Sequence, residues 1–511
     1  MKKLIHLMFN RVFVIAVALL LQLGWMAVLI WNVSAISIHV SRIITVLSIL
    51  LVLWIVNKKI NPSYKLTWTI LILVIPFFGI MIYFLFGESR VARKMSKQFK
   101  HVLSDLSNHY SEKKDTREEL EILDREMSNQ SRYIRDYAGF PVHKHTSTEY
   151  FSVGEDMFMA MVEELQKAKH FIFLEYFIIN DGYMWKTVLE ILEKKVLEGV
   201  DVRLIYDDFG CVTTLPYHFY KSLQAKGIKC ASFNPLRPIL NIILNNRDHR
   251  KILVIDGHTG FTGGINLADE YINQEERFGH WKDTGIMLKG EGVWNFTMMF
   301  LQMWNVITGM GCNYSDYEPY THYNGKFETD GFVQPYSDTP LDNETVGENV
   351  YLNIINKAKS YLYICTPYLI IDNEMMTALC LAAKSGVTVK IITPGIPDKQ
   401  IVFLLTQSYY EQLLEAGVQI FEYAPGFLHA KSFVSDDEIA AVGTINLDYR
   451  SLYLHFECGV WMYRSKAVMQ VKEDMMTTLS VCREITLDFC RKRNIIVRGT
   501  QSILRLFAPM L

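Results

Sequence analysis

Two stretches of the chain follow the same eight-residue pattern. They are His249-Arg250-Lys251-Ile252-Leu253-Val254-Ile255-Asp256 and, 180 positions later, His429-Ala430-Lys431-Ser432-Phe433-Val434-Ser435-Asp436. Both read H-x-K-x4-D, and each continues after six residues into Gly263-Gly264-Ile265-Asn266 or Gly443-Thr444-Ile445-Asn446. With 14 histidines in the chain, and Lys and Asp each at most about one residue in ten, chance supplies roughly 0.14 such triples. Two complete copies therefore require an internal duplication, which restricts the fold to two related units.

The flanking text repeats as well. Phe171 to Asp181, a helix-length segment and Gly199-Val200-Asp201-Val202-Arg203-Leu204 correspond to Tyr361 to Asp372, a second such segment and Gly386-Val387-Thr388-Val389-Lys390-Ile391. Apolar β-branched runs that alternate with 3.6-periodic segments predict β-α-β units around a buried sheet. The expected fold class is α/β, with two duplicated domains at 136–330 and 331–511 that share one active-site cleft. The charged stretch 101–135 reads as a linker with a helical portion.

The motif residues suit chemistry at an anionic centre. His249 and His429 titrate near neutrality, so one can attack while the other carries a proton for the leaving group. Lys251, Lys431, Asn266 and Asn446 supply positive charge and donors that fit a phosphodiester better than a neutral ester. No Cys/His/Asp cluster with metal spacing accompanies them, so no metal and no cofactor is expected. His143, His145, His280 and His455 lack such company and read as surface or packing residues.

Composition bears on the compartment. Half of the residues are hydrophobic, and three apolar stretches without acidic residues fall in residues 1–100: Val12 to Trp31, Ile43 to Val56 with flanks from Ile36, and Leu66 to Phe86. About 20 helical residues cross a roughly 30 Å hydrocarbon core, so this region is expected to form two to three transmembrane helices. Three full spans leave six Lys/Arg on each side, whereas a hairpin of the second and third stretches leaves nine against three. The hairpin, like one of the first and second stretches, places the catalytic body in the cytoplasm. Eight scattered cysteines without C-x-x-C fit a reducing compartment, and a net charge of −2 excludes a grossly basic nucleic-acid binder.

Paired H-x-K-x4-D motifs with trailing G-x-N resemble the phospholipase D superfamily. The surrounding text resembles its bacterial cardiolipin synthases: Phe261-Thr262-Gly263-Gly264-Ile265-Asn266-Leu267, His280-Trp281-Lys282-Asp283, Thr366-Pro367-Tyr368, and Gly443-Thr444-Ile445-Asn446-Leu447-Asp448-Tyr449-Arg450-Ser451. The resemblance covers nearly the whole chain. One departure is the run Pro335 to Pro340, a linker at the place where the family carries a Gly-Pro-Asp-like turn.

The resemblance implies two phospholipase D-like α/β domains behind a helical membrane region in a multi-pass protein of the bacterial cell membrane. It also implies phosphatidyl transfer between two phosphatidylglycerol molecules, other membrane phospholipids being possible ligands. His249 would attack phosphorus, His429 would act as acid and base, and a phosphatidyl-histidine would form between the two steps. Asp283 and Glu457 match the family's supporting acids, Asp283 for His249 and Glu457 for His429. Asp256 and Asp436 complete the catalytic motifs and are expected to order the loops rather than touch substrate. Hydrolysis, with water as the acceptor, uses the same residues, and a non-catalytic membrane scaffold is the third reading.

Overall fold

The computed structural model describes residues 38–87, 95–102, 114–235, 246–342 and 344–510, together with Leu20, Gly24 and Val28. Seven strands build a first sheet: β1 (Thr146–Phe151), β2 (Phe171–Tyr176), β3 (Asp201–Asp207), β4 (Lys229–Phe233), β5 (Lys251–Ile255), β6 (Thr259–Gly263) and β7 (Gly285–Gly290). Their spatial order is β1-β7-β6-β5-β2-β3-β4. The second sheet uses β8 (Phe332–Asp338), β9 (Tyr361–Cys365), β10 (Thr388–Pro394), β11 (Gln419–Tyr423), β12 (Ser432–Ser435), β13 (Ile439–Gly443), β14 (His455–Tyr463) and β15 (Cys482–Ile485). Its order, β8-β14-β13-β12-β9-β10-β11-β15, repeats the first permutation and adds β15 at the edge. The duplication written in the motifs is thus a duplication of topology.

Strand periodicity explains the layering. All six residues of β2 are buried. Phe171 and Phe173 point into a core shared with the second half, while Ile172, Leu174 and Tyr176 point into a core built almost wholly from the first half, with Phe427 added from the second. A sheet covered on both faces needs apolar residues at every strand position, which is why β2 and β5 read as continuous apolar runs. The helix Val293–Thr308 is buried along its first thirteen residues and packs against β2, β4, β5 and β8. It therefore lies in the layer between the two sheets, where an apolar surface on all sides is stable.

Three expectations need correction. The first apolar stretch, Val12 to Trp31, lies outside the described residues apart from three single positions. The second forms α1 (Ile38–Val56), and the third divides into α2 (Pro62–Val74) and α3 (Pro76–Phe86). Pro76 lacks the donor a continuing helix needs, and Ile75 before it leaves helical geometry at φ −131° and ψ 75°. The chain folds back there, and a Cβ on Gly79 would stand 2.5 Å from Ile72 Cα, so glycine permits the close approach. Among the described residues no helix is long and apolar enough to cross a membrane. In α1, Arg42 leaves an uncharged run of 14 residues, about 21 Å of helix.

The second correction concerns 101–135. From Lys114 onward this segment is two helices, Lys114–Leu123 and Arg125–Tyr133, docked on the second half rather than strung as a linker. Leu120, Met127 and Ile134 enter the shared core. Trp461 Nε1 donates to Gln130 Oε1 at 3.1 Å, and Tyr133 OH donates to Glu344 at 2.6 Å. Third, Pro335 is no linker residue but part of β8, paired with Val460 of β14. It sits on the sheet's edge strand, where proline's missing N–H costs no ladder bond.

Candidate active site

Each motif histidine follows a very short strand that pairs with the opposite half. Arg247–Asp248 runs parallel to His455 and Phe456 at the start of β14, and Gly426–Leu428 runs parallel to His280–Lys282. The ladders continue one step further: His249 N–H donates to Phe456 O at 2.9 Å and His429 N–H donates to Lys282 O at 2.7 Å. That register sets His249 beside Glu457 and His429 beside Asp283. His249 Nδ1 lies 2.9 Å and 3.1 Å from the Glu457 oxygens, and His429 Nδ1 lies 2.6 Å from Asp283 Oδ2. The expected pairing within each half is therefore overturned. Each histidine takes its carboxylate from the other half, because the connecting ladders are the ones that cross between halves.

A carboxylate on Nδ1 leaves Nε2 as the nitrogen available to a substrate. Burial pushes His249 down to about 3 against the pull of Glu457. Burial, with Lys431 adding to it, pushes His429 down to about 4, so both rings rest neutral. Burial opposes charge on Glu457, but His249 and His455 hold it well below the usual carboxylate range. Ser451 Oγ donates to it at 2.5 Å, and Thr444 Oγ1 donates to its other oxygen.

Both lysines are buried in the same site. Lys251 Nζ donates to His249 O at 2.5 Å, and Lys431 Nζ donates to His429 O and stands 2.8 Å from His429 Nδ1. Burial lowers Lys251 to about 8 and Lys431 to about 7, the latter helped by the charge on Lys251. Lys251 feels Asp283 of its own half and Glu457 of the other, and Lys431 feels the same two acids. The two motifs thus form one electrostatic unit.

The remaining predicted residues divide by role. Asp256, at φ 51°, accepts the backbone N–H groups of Lys169, His170 and Phe171 at 2.8, 2.8 and 2.9 Å. Asp436, at φ 55°, does the same for Lys359, Ser360 and Tyr361 at 2.7, 2.9 and 2.9 Å. Both lie at the far end of the motif strand from the histidine and tie that strand to its neighbour. Asn266 Oδ1 accepts from Ile178 N–H at 2.9 Å and its Nδ2 donates to Tyr271 OH at 2.7 Å, so it pins the segment after β2. Asn446 Oδ1 is buried with no hydrogen-bond partner.

His143, His145 and His280 bond Asn295, Thr329 and Tyr423, as packing or surface residues do. His455 differs. Its ring lies 5.6 Å from that of His249, with Nδ1 3.7 Å from Glu457 Oε1. Its spacing of two from Glu457 in the sequence was the available signal, since strand neighbours two apart share a face. His249, His455 and Glu457 are, among the described residues, the grouping whose ligand atoms approach closely enough for a metal ion. Glu457 already receives bonds from His249, Thr444 and Ser451, so this donor set is committed to the histidine.

A family model described as the cardiolipin synthase, phospholipase D-like domain matches the chain twice, over residues 161–289 and 351–478. The chain belongs to this family. Each match contains one of the H-x-K-x4-D motifs, so the bacterial cardiolipin synthase family accounts for both halves of the site. A further model, described as phospholipase D-nuclease N-terminal, matches residues 46–88. A cardiolipin synthase of Halalkalibacterium halodurans is 34% identical over 94% of this chain and 95% of its own length. An uncharacterized protein of Streptococcus mutans is 46% identical over 90% of this chain and 99% of its own. Among solved structures, the phosphatidylserine synthase of Haemophilus influenzae shares the fold, with a TM-score of 0.55 and 14% identity, covering 74% of this chain and 97% of that one.

Proposed function

We propose that this chain is a cardiolipin synthase that transfers a phosphatidyl group from one phosphatidylglycerol to the headgroup hydroxyl of another. The observation that carries the reading is the crossed pair, His249 on Glu457 and His429 on Asp283, with Lys251 and Lys431 buried beside it. His249 Nε2 attacks phosphorus, and the bond to glycerol oxygen breaks as His429 delivers a proton to it. The anionic phosphodiester favours the proton on His429, which burial and Lys431 otherwise disfavour. In the second step His429 takes the proton from the acceptor hydroxyl, whose oxygen displaces His249 and gives cardiolipin. Lys251 and Lys431 hold the phosphate oxygens as point charges, where low dielectric strengthens them.

Attachment to the bilayer goes with this reading. Ile43, Val46, Leu50 and Leu53 of α1, and Leu73, Val74 and Phe84 of α2 and α3, are about half exposed or more. A contiguous apolar surface of that kind suits lipid better than water. We place these helices in the cytoplasmic membrane, with both α/β domains on the cytoplasmic side. The test is incubation of the purified protein with labelled phosphatidylglycerol alone. Cardiolipin and glycerol in equal amounts are expected, whereas phosphatidic acid as the main product would show that water is the acceptor.

A further inference from the structure

We propose that a phosphatidylglycerol molecule binds in the cavity between α2–α3 and the second half, its acyl chains against the apolar wall and its headgroup reaching His455. This site deepens the phosphatidyl-transfer reading and rests on it. The cavity measures about 880 Å³, within the range of about 300–1,000 Å³ usual for small-molecule sites. Ile60, Trp68 and Ile82 line it from the first hundred residues, and Leu352 and Leu454 from the second half. Its lining also includes His455, whose ring lies 5.6 Å from that of His249.

Two features identify an amphiphile as the occupant. The helices that line the cavity with Trp68 and Ile82 also expose Leu73, Val74 and Phe84, so the apolar wall and the lipid-facing surface belong to the same two helices. At the inner end, His455 Nδ1 faces Glu457 Oε1 at 3.7 Å, and its Nε2 is buried with no hydrogen-bond partner. A buried ring nitrogen left unpaired costs free energy that a headgroup hydroxyl or phosphate oxygen would offset. Of the acidic residues of the lining, Asp372 is held below the usual carboxylate range against burial by its hydrogen bonds, those of Glu348 and Met375 N–H first among them, and two others are held neutral. Burial pushes Asp338 up to about 8, and burial with Asp372 beside it pushes Glu348 up to about 8, so both are largely uncharged at neutral pH. Lys59 also lines the cavity and supplies a cation.

Two measurements test the site. The intact protein is irradiated with phosphatidylglycerol carrying a diazirine in one acyl chain, and the labelled peptides are mapped. Label on Ile60 to Ile82 and on the peptide holding Leu352 is expected, and label confined to other parts of the chain would overturn the proposal. The second compares glycerol release from dioleoyl- and dihexanoyl-phosphatidylglycerol. Leu352→Trp should lower the ratio of long-chain to short-chain turnover at least about tenfold, a barrier change of about 1.4 kcal/mol, whereas Leu381→Trp, on an exposed helix face, should leave that ratio alone. An unchanged ratio in Leu352→Trp would also overturn it. Glycerol is released whether lipid or water accepts the phosphatidyl group. A product of phosphatidic acid would therefore overturn the transfer reading while the labelling pattern and the ratio still decide the cavity.

Discussion

His249 and His429 rest as neutral imidazoles, each with a buried carboxylate on Nδ1. His249→Ala and His429→Ala should each lower turnover at least about 10²-fold, since general acid/base action alone supplies about 10²- to 10⁴-fold; a tenth of wild-type cardiolipin formation in either variant would contradict the shared site. The crossed pairing is testable without turnover. In ring-nitrogen NMR of the labelled protein, Glu457→Gln should shift the His249 Nδ1 resonance and Asp283→Asn that of His429; the reverse pattern would restore pairing within each half. The lysines set the alkaline side. A base lowered to about 7 or 8 by burial is charged below that value and loses its proton above it. The phosphate-binding charge should therefore fade, and kcat/KM of the free enzyme decline, as pH rises through about 7 to 8. A profile flat to pH 9 would show that neither lysine carries the phosphate.

The strands that bear the motifs are equivalent in topology and differ in what they bury. β5 pairs antiparallel with β2 as β12 does with β9, so Glu175 and Arg250 occupy the places held by Cys365 and Ala430. In the first half these two form a fully buried ion pair, with Asp248 as a further partner of Arg250 at 3.1 Å. In the second half a small apolar pair fills the same space. Removing one member of a buried pair strands the other charge, so Arg250→Ala should destabilise the protein by about 3 to 5 kcal/mol. The double substitution Glu175→Cys with Arg250→Ala removes one of the two stranded carboxylates, Asp248 remaining, and should recover part of that loss. Thermal unfolding of the two variants decides the matter, and additive losses in the double variant would show that the halves need different supports. Asp256 and Asp436, each holding three N–H groups of the neighbouring strand, belong to the same scale: they align strands.

The amino-terminal helices are fastened to the body at the level of the whole molecule. Asn61 Nδ2 donates to Asp372 Oδ2 at 2.9 Å and to Tyr453 OH at 2.8 Å, while its Oδ1 caps α2 at Ser63 N–H. Tyr449 OH donates to Ser63 Oγ at 2.9 Å, and Thr67 Oγ1 donates to Leu506 O at 3.0 Å. The terminal helix Ile495–Leu506 thus braces α2 from one side and receives support from the second half, where Gln501 Nε2 donates to Leu404 O at 3.0 Å. Asn61→Ser keeps a capping oxygen but loses the longer reach to Asp372 and Tyr453. Amide exchange along Pro62–Val74 should then quicken while exchange in β5 and β12 stays as it was; equal protection in both proteins would show that the bridge contributes nothing to docking.

The amino-acid sequence by itself determined the duplication, the α/β class and the two H-x-K-x4-D candidates for the site. All of these are written in local spacing: eight residues for a motif, two for a strand face, 180 for the repeat. Pairing across the site was not written there. His249 and Glu457 lie 208 positions apart and His429 and Asp283 146 apart, and both contacts depend on two- and three-residue ladders between halves that leave no periodic signal. The same holds for His455, an isolated histidine until β14 brings it beside Glu457, and for Lys114–Tyr133, whose charged composition describes its outer face while Leu120 and Met127 decide where it docks. Local patterns specify elements because backbone geometry repeats over a few residues. Which elements meet depends on burial summed over the whole chain, and that only the tertiary structure could decide.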